Sequence, residues 1–282
     1  MADLHGIEGE QAQLWNGPAG RAWVELQAVL DDMLKPFGDV IVEAALATAP
    51  SSLLDVGCGA GATTLEAARR LGTKGHCIGV DISEPLIAMA RSRAERENVP
   101  AMFIRADAQN HDFEQSSFDM IISRFGVMFF EDPIRAFANL RRAARGDAEL
   151  RLVVWRSAVE NPFMTTAERA AAPLLPNIPA RPPDAPGQFA FADQHRVRAI
   201  LEESGWSGID IRPMDLVCAF PKENLIDYFT RLGPVGRVLQ NADDRTRAHV
   251  VATVRTAFDP YVQSAKVCFD AACWLVGASA KS

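Results

Sequence analysis

The residues best placed to do chemistry are Asp55, Gly57, Gly59, Gly61, Asp81 and Asp107, all in or beside short turns that follow apolar runs. Leu53 and Leu54 lead into Asp55-Val56-Gly57-Cys58-Gly59-Ala60-Gly61, and a helix-like run from Ala62 to Leu71 follows, so the segment reads as strand, tight glycine turn and helix. Glycines this close together let the backbone take positive φ and come within van der Waals distance of a ligand, with free N–H groups of the next helix facing it. The chemistry expected there is the binding of a nucleotide-like cofactor.

Two cofactor classes fit that turn. Gly57, Gly59 and Ala62 satisfy the dinucleotide pattern G-x-G-x-x-G/A, and Asp81 sits at the distance expected of an acid that binds a ribose hydroxyl. Against a dinucleotide stands Asp55, two residues before the first glycine, because a carboxylate repels a pyrophosphate. A carboxylate suits a ligand with an ammonium group, such as the methionine end of S-adenosylmethionine. A short-chain reductase would also need a Tyr-x-x-x-Lys pair, and neither Tyr228 nor Tyr261 has a lysine four residues on. An NAD(P)-dependent oxidoreductase and a non-catalytic relative that keeps the cofactor fold are the alternatives.

Four motifs in order extend this reading: Leu53 to Gly61, Gly79-Val80-Asp81-Ile82-Ser83, Arg105-Ala106-Asp107-Ala108 and Phe118-Asp119-Met120-Ile121-Ile122-Ser123. With them the chain resembles the class I S-adenosylmethionine-dependent methyltransferases, in particular the small-molecule group that includes the ubiquinone and menaquinone methyltransferases. The resemblance runs from about Trp15 to Trp155 and weakens toward the C-terminus. It implies an α/β fold: a doubly wound, mainly parallel seven-stranded sheet, Rossmann-like, with an N-terminal helical lid and a helical insertion before the last strand. It also implies that Asp55, Gly57, Gly59 and Gly61 line the methionine moiety. Asp81 would hold the ribose hydroxyls, Ile82 the adenine face, and Asp107 with Ala108 the adenine amino group. The segment from Trp15 to Trp23 resembles the lid of such enzymes, so Trp15 and Arg21 join the candidate cofactor-binding residues, as does Ser123 at the end of the fourth motif.

The elements that must position these residues are legible as alternating apolar runs and helical patterns between Leu53 and Trp155, the signature of βαβ units. Strands are expected at Cys77 to Asp81, Met102 to Ala106, Met120 to Ser123 and Leu150 to Trp155. Ser83 with Pro85 starts one helix; Asp132 with Pro133 starts another that presents Ile134, Phe137 and Leu140 on one face and ends at Gly146. Asp55, Asp81, Asp107 and Ser123 fall beyond the carboxyl ends of separate strands, where ligands of open α/β sheets bind. Seven of the 17 prolines crowd into Asn161 to Ala190, a connection expected to serve as a substrate-binding loop. A helix from Phe191 to Gly205, a strand from Ile209 to Phe220, two helices within Lys222 to Gln263 and a strand from Lys266 to Gly277 complete the pattern. The organisation expected is a single domain over 1–282: a lid at 1–48, a cofactor-binding core at 49–158 and substrate-covering segments with the final strands at 159–282.

A net charge of −7 gives no footprint for a polyanion, so a small molecule rather than nucleic acid is the expected partner. Asn161-Pro162-Phe163 resembles the motif of base-methylating enzymes but follows the wrong strand. Five cysteines without a C-x-x-C pair indicate neither a disulfide framework nor a zinc site, and no metal is expected. Met1 to His5 lacks a basic flank and an apolar core, and no apolar stretch approaches the roughly 20 residues of a membrane span; a cytoplasmic protein is expected. Oligomeric state is unknown from the sequence. No catalytic residue is assigned. His76 and His111 read as structural or solvent-exposed, His195 as helix-start polarity, Arg124, just past the fourth strand, as facing the crevice when in register and as an ion-pair partner of a nearby acid, and Cys58 as a small filler whose pKa the helix N-terminus would lower.

Overall fold

The computed structural model describes residues 9–178 and 185–281. Met1 to His5 and Pro179, Pro182 and Pro183 of the proline-rich connection lie outside the described residues.

Three helices come first: α1 (Glu10–Asn16), α2 (Pro18–Glu25) and α3 (Gln27–Leu46). The alternating core follows as β1 (Ser52–Val56), α4 (Ala62–Leu71), β2 (His76–Asp81), α5 (Glu84–Glu97), β3 (Ala101–Arg105), β4 (Phe118–Arg124), α6 (Pro133–Ala143) and β5 (Ala144–Trp155). The last part contains α7 (Phe163–Ala171), α8 (Gln194–Glu203), β6 (Ser207–Pro221), α9 (Leu225–Arg231), α10 (Gly233–Leu239), α11 (Asp244–Ala257), β7 (Val262–Gln263) and β8 (Lys266–Ser279). The sheet order is β3-β2-β1-β4-β5-β8-β6, and the two-residue β7 pairs only with β8. The first five strands are parallel; β8 runs antiparallel to β5, β6 and β7. This is the mainly parallel seven-strand arrangement expected, with β7 as a short addition.

Hydrophobic burial explains why these runs form a central sheet. Leu53, Leu54, Met120, Ile121 and Ile122 on the adjacent strands β1 and β4 are all fully buried, as expected for strands covered on both faces. α3 covers one face, turning Phe37, Ile41, Val42 and Ala45 inward against β4, β5 and β6. Within the first 48 residues, then, α3 belongs to the packed core, while α1 and α2 lie over the carboxyl ends of the strands. The chain reverses its winding between β1 and β4, which opens a crevice at that end of the sheet.

Several local expectations change. α6 stops at Ala143 rather than Gly146, because Ala144 pairs with Phe118 and the chain passes directly into β5. Its inward face is Ala136, Phe137, Leu140 and Ala143, whereas Ile134 is exposed. α8 starts at Gln194 under the Asp193 cap, and Phe191 packs instead against Phe137. Three helices, not two, separate β6 from β7, because Leu232-Gly233 breaks the first pattern, with Gly233 at φ +68°. The proline-rich connection contains α7, whose Phe163 stacks on Phe269 of β8 at 3.6 Å.

Candidate cofactor crevice and acceptor cavity

The glycine turn is held to β2 by its own backbone: the Gly57 and Cys58 N–H groups both donate to the Val80 carbonyl, at 2.8 and 3.1 Å. Gly57 has φ +68°, and a Cβ there would lie 2.5 Å from Gly126 Cα, so the turn packs backbone to backbone against the loop after β4. Gly59, at φ +55°, has nothing within 4 Å of that direction. Gly57 is thus required for packing, and Gly59 leaves its open side to the crevice. Gly61 faces elsewhere; its Cβ direction meets Phe103 at 2.8 Å, and it does not line the crevice.

Asp81 closes the turn. Its Oδ2 accepts the Gly59 N–H at 2.8 Å and its Oδ1 the Ser83 N–H at 2.9 Å, while burial raises its pKa above the ordinary range. Ile82, Asp107 and Ala108 line the same crevice. Asp107 is shaped by its own loop, accepting from the Gln109 N–H at 2.9 Å and the Asn110 amide at 2.7 Å. Four residues from two strand ends, those of β2 and β3, therefore meet in one crevice.

Asp55 and Ser123 stand behind this surface rather than in it. Asp55 is 1% exposed and accepts the Thr64 hydroxyl at 2.6 Å. Burial pushes its pKa up to about 6, against the pull of Thr64 and Arg124 and with a smaller push from Asp81. Ser123 is fully buried; its hydroxyl donates to the Val56 carbonyl at 2.7 Å and accepts the Gly126 and Val127 N–H groups, tying β1 to the turn after β4. Arg21 is exposed and absent from the crevice wall, whereas Trp15 lines it and meets Trp23 and Phe129 edge-on, at 5.7 and 5.2 Å.

Two features of the site were not anticipated, whereas Arg124 sits where its place after the expected fourth strand put it. Arg124 lines the crevice and donates to the Leu34 carbonyl at 3.1 Å; burial lowers its pKa, opposed by Asp31 and Asp55. Asp31 of α3 pairs with Arg93 at 2.8 Å, and Arg93 donates to the Ala60 carbonyl at 2.7 Å, so α3 and α5 brace the glycine turn from outside. Phe125 takes φ +64° and stacks on Trp155 at 4.2 Å and 3°. That conformation is strained for an aromatic residue and persists because packing holds it. Only the Phe125-Gly126 pair after β4 hinted at a tight turn.

Beyond the crevice the same cavity, about 700 Å³ in all, opens into a chamber walled by Phe163, Met164, Phe189, Tyr228, Phe229 and Phe269. No histidine lines it among the described residues. His195 is exposed at the start of α8, and His111 meets Phe113 edge-on at 4.6 Å. Asn161 acts structurally: its amide donates to the Ala272 carbonyl and its Oδ1 accepts the Ala272 N–H, at 2.9 and 2.8 Å. Burial drives the Cys58 pKa up, reversing the expected helix effect, so this thiol is inert. Among the described residues no cluster of metal-ligating side chains occurs, and no helix is long and apolar enough to cross a membrane.

The crevice suits a ligand with an adenosine and an amino-acid end. Among the described residues the Gln11 Oε1 is buried in its wall without a hydrogen-bond partner, and Gly59 leaves open space at the turn. Comparison with known proteins agrees with this. A family described as a methyltransferase domain matches residues 53–147. The chain is 33% identical over 101 residues to the nocamycin O-methyltransferase of Saccharothrix syringae, covering 36% of each chain. It is 31% identical over 111 residues to the aklanonic acid methyltransferase of Streptomyces sp. strain C5, covering 38% of this chain and 50% of that one. A demethylmenaquinone methyltransferase of Thermus thermophilus is 33% identical over 101 residues, covering 36% and 46%. The matched segments thus span half or less of these relatives' lengths. In fold, the chain resembles the YcgJ protein of Bacillus subtilis (TM-score 0.57, 18% identity, covering 87% and 98%) and the [4+2]-cyclase SpnF (TM-score 0.57, 16% identity, covering 93% and 95%). Residues 53–147 thus match a methyltransferase domain, and over part of its length the chain is similar to curated methyltransferases, a quinone methyltransferase among them.

Proposed function

We propose that the chain transfers a methyl group from S-adenosylmethionine to a small, apolar or aromatic acceptor held in the chamber beside the crevice. The observation that carries this reading is a single cavity joining the turns of Gly59, Asp81 and Asp107 to an aromatic-walled space. In this reading Asp81 and Ile82 hold the ribose and the adenine face, and Asp107 with Ala108 the adenine amino group. The Gly57–Gly59 backbone and Arg124 meet the amino-acid end, with the Asp55 charge acting from behind the turn. Gly61 and Ser123 support the turn from below. Trp15 covers the cofactor; Arg21, exposed on α2, is left without that role.

When bound, S-adenosylmethionine supplies a methyl group already activated by its sulfonium sulfur. The chain contributes alignment, proximity and exclusion of water by α1, α2, α7, α9 and α10. We assign no general base. The lid at 1–48 is narrowed to α1 and α2, the core is 49–158, and 159–282 covers the acceptor. A cytoplasmic location accords with five unpaired cysteines.

One observation favours a second reading: a [4+2]-cyclase shares this fold, and a fold does not fix a reaction. Calorimetric titration with S-adenosylmethionine and with NAD, followed by incubation with a panel of phenolic, quinone and carboxylic acceptors, separates the readings. Methyl transfer predicts donor binding and release of S-adenosylhomocysteine with at least one acceptor. Binding of NAD alone would overturn it, and donor binding without product release across the panel would favour the second reading.

A further inference from the structure

α1 and α2 meet at Gly17, and the end of α1 reaches the turn after β2 through side chain and backbone. The Asn16 amide nitrogen donates to the Ile82 carbonyl at 3.1 Å and to the Ala12 carbonyl at 2.8 Å, and its Oδ1 accepts the Glu84 N–H at 2.8 Å. One residue earlier, the Trp15 carbonyl accepts the Ser83 hydroxyl at 2.7 Å. Gly20 closes on the same place: a Cβ there would lie 1.9 Å from the Trp15 carbonyl oxygen and 3.0 Å from Ser83 Oγ. On its other side this turn is held by Asp81, which also grips the Gly59 N–H. Ile82 to Glu84 is therefore a bridge, with the glycine turn on one flank and the N-terminal helices on the other.

We propose that Asn16 is a positioning residue for the cofactor. Its primary amide sets the turn that carries Asp81 and Ile82, and it makes the seating of Trp15 over the crevice conditional on that turn. The N-terminal helices and the cofactor then engage as one event. The chemistry requires asparagine: its amide presents a donor and an acceptor side by side, whereas aspartate keeps the acceptor for Glu84 but sets a second oxygen against the Ile82 carbonyl. Ser83 reinforces the arrangement, since its hydroxyl is spent on α1 and leaves the start of α5 without a side-chain cap. Coupling of this kind is reciprocal, so a cofactor that orders the turn must also secure α1 and α2.

The inference rests on the reading of the crevice as the S-adenosylmethionine site. S-adenosylhomocysteine is titrated into the wild type, Asn16→Ala and Asn16→Asp by calorimetry, and amide hydrogen exchange is followed with and without it. Wild type is expected to bind and to slow exchange over 10–25 and 82–86 by the same factor. Asn16→Ala is expected to bind about tenfold more weakly or worse and to lose protection over 10–25 while keeping it over 82–86; a tenfold loss corresponds to about 1.4 kcal/mol. Asn16→Asp is expected to resemble Asn16→Ala rather than the wild type. Equal affinity of wild type and Asn16→Ala, or separate protection factors for the two segments in the wild type, would overturn the proposal. The second criterion needs no variant and decides the matter if Asn16→Ala does not fold. Failure of the wild type to bind would instead overturn the site assignment, and the inference with it.

Discussion

Gly57 and Gly59 look interchangeable in a motif, yet their surroundings give them separable roles. At Gly57 a side chain would meet the Gly126 backbone, which cannot move aside without breaking the turn behind β4, and the φ of +68° adds strain. Gly57→Ala is expected to destabilise the protein by at least about 2 kcal/mol. At Gly59 only the φ of +55° resists, so Gly59→Ala is expected to cost about 1 kcal/mol in stability while its methyl group occupies the crevice and weakens donor binding. Urea denaturation and donor titration of both variants check the contrast. Asp55 offers a pH test. Its pKa is raised from the ordinary 3.8 to about 6 by burial, so folding favours the neutral acid. That stability is fully present below about pH 4 and is lost as pH rises through about 6, to the extent of about 3 kcal/mol. Asp55→Asn keeps an acceptor for Thr64 and is expected to flatten the decline between pH 4 and 7, as read by urea midpoints. Asp81 is raised by burial too, so a residual slope should remain.

At the scale of elements, the site depends on how α3 and β5 hold the loop after β4. Phe37 of α3 is fully buried and meets Phe125 and Trp155 edge-on at 5.1 and 5.5 Å. These contacts keep Phe125 in its strained conformation and so keep Gly126 against Gly57. Phe37→Ala is expected to cost about 3–5 kcal/mol, in the range of aromatic truncations in packed cores. Guanidinium unfolding measures it, and a loss below about 1 kcal/mol would mean that the core collapses around the gap. The periodicity of α3 announces an amphipathic helix, but nothing in it says that Asp31 pairs with Arg93 of α5 across the crevice wall.

The cavity draws its wall from α1 and α2, from the ends of β1 to β4, from α7, and from the helices between β6 and β8. A ligand in it touches elements from both ends of the chain, so binding should stabilise the molecule as one unit. S-adenosylhomocysteine at 100 times its dissociation constant is expected to raise stability by about 2.7 kcal/mol. For a chain of this size that is a rise of about 5–10 °C in Tm. Differential scanning calorimetry should show one shifted transition; a shift confined to part of the heat absorption would mean that the two ends unfold independently.

The order of apolar runs, the glycine turn and the acids at strand ends were legible in the sequence because they follow local rules: alternation, backbone freedom at glycine, and charge placed after a strand. Those rules put Asp81 and Asp107 at strand ends, the family resemblance added Ile82 and Ala108, and all four line one crevice. They could not tell that Asp55 and Ser123 turn inward, that Arg21 faces solvent, or that Asp31 pairs with Arg93, since a residue's neighbours across the sheet are absent from its local pattern. Helix ends shifted for the same reason: Ala144 left the helix to pair with Phe118. The acceptor chamber is the extreme case, because its wall unites side chains from distant elements, and only the tertiary structure decides which of them share a surface.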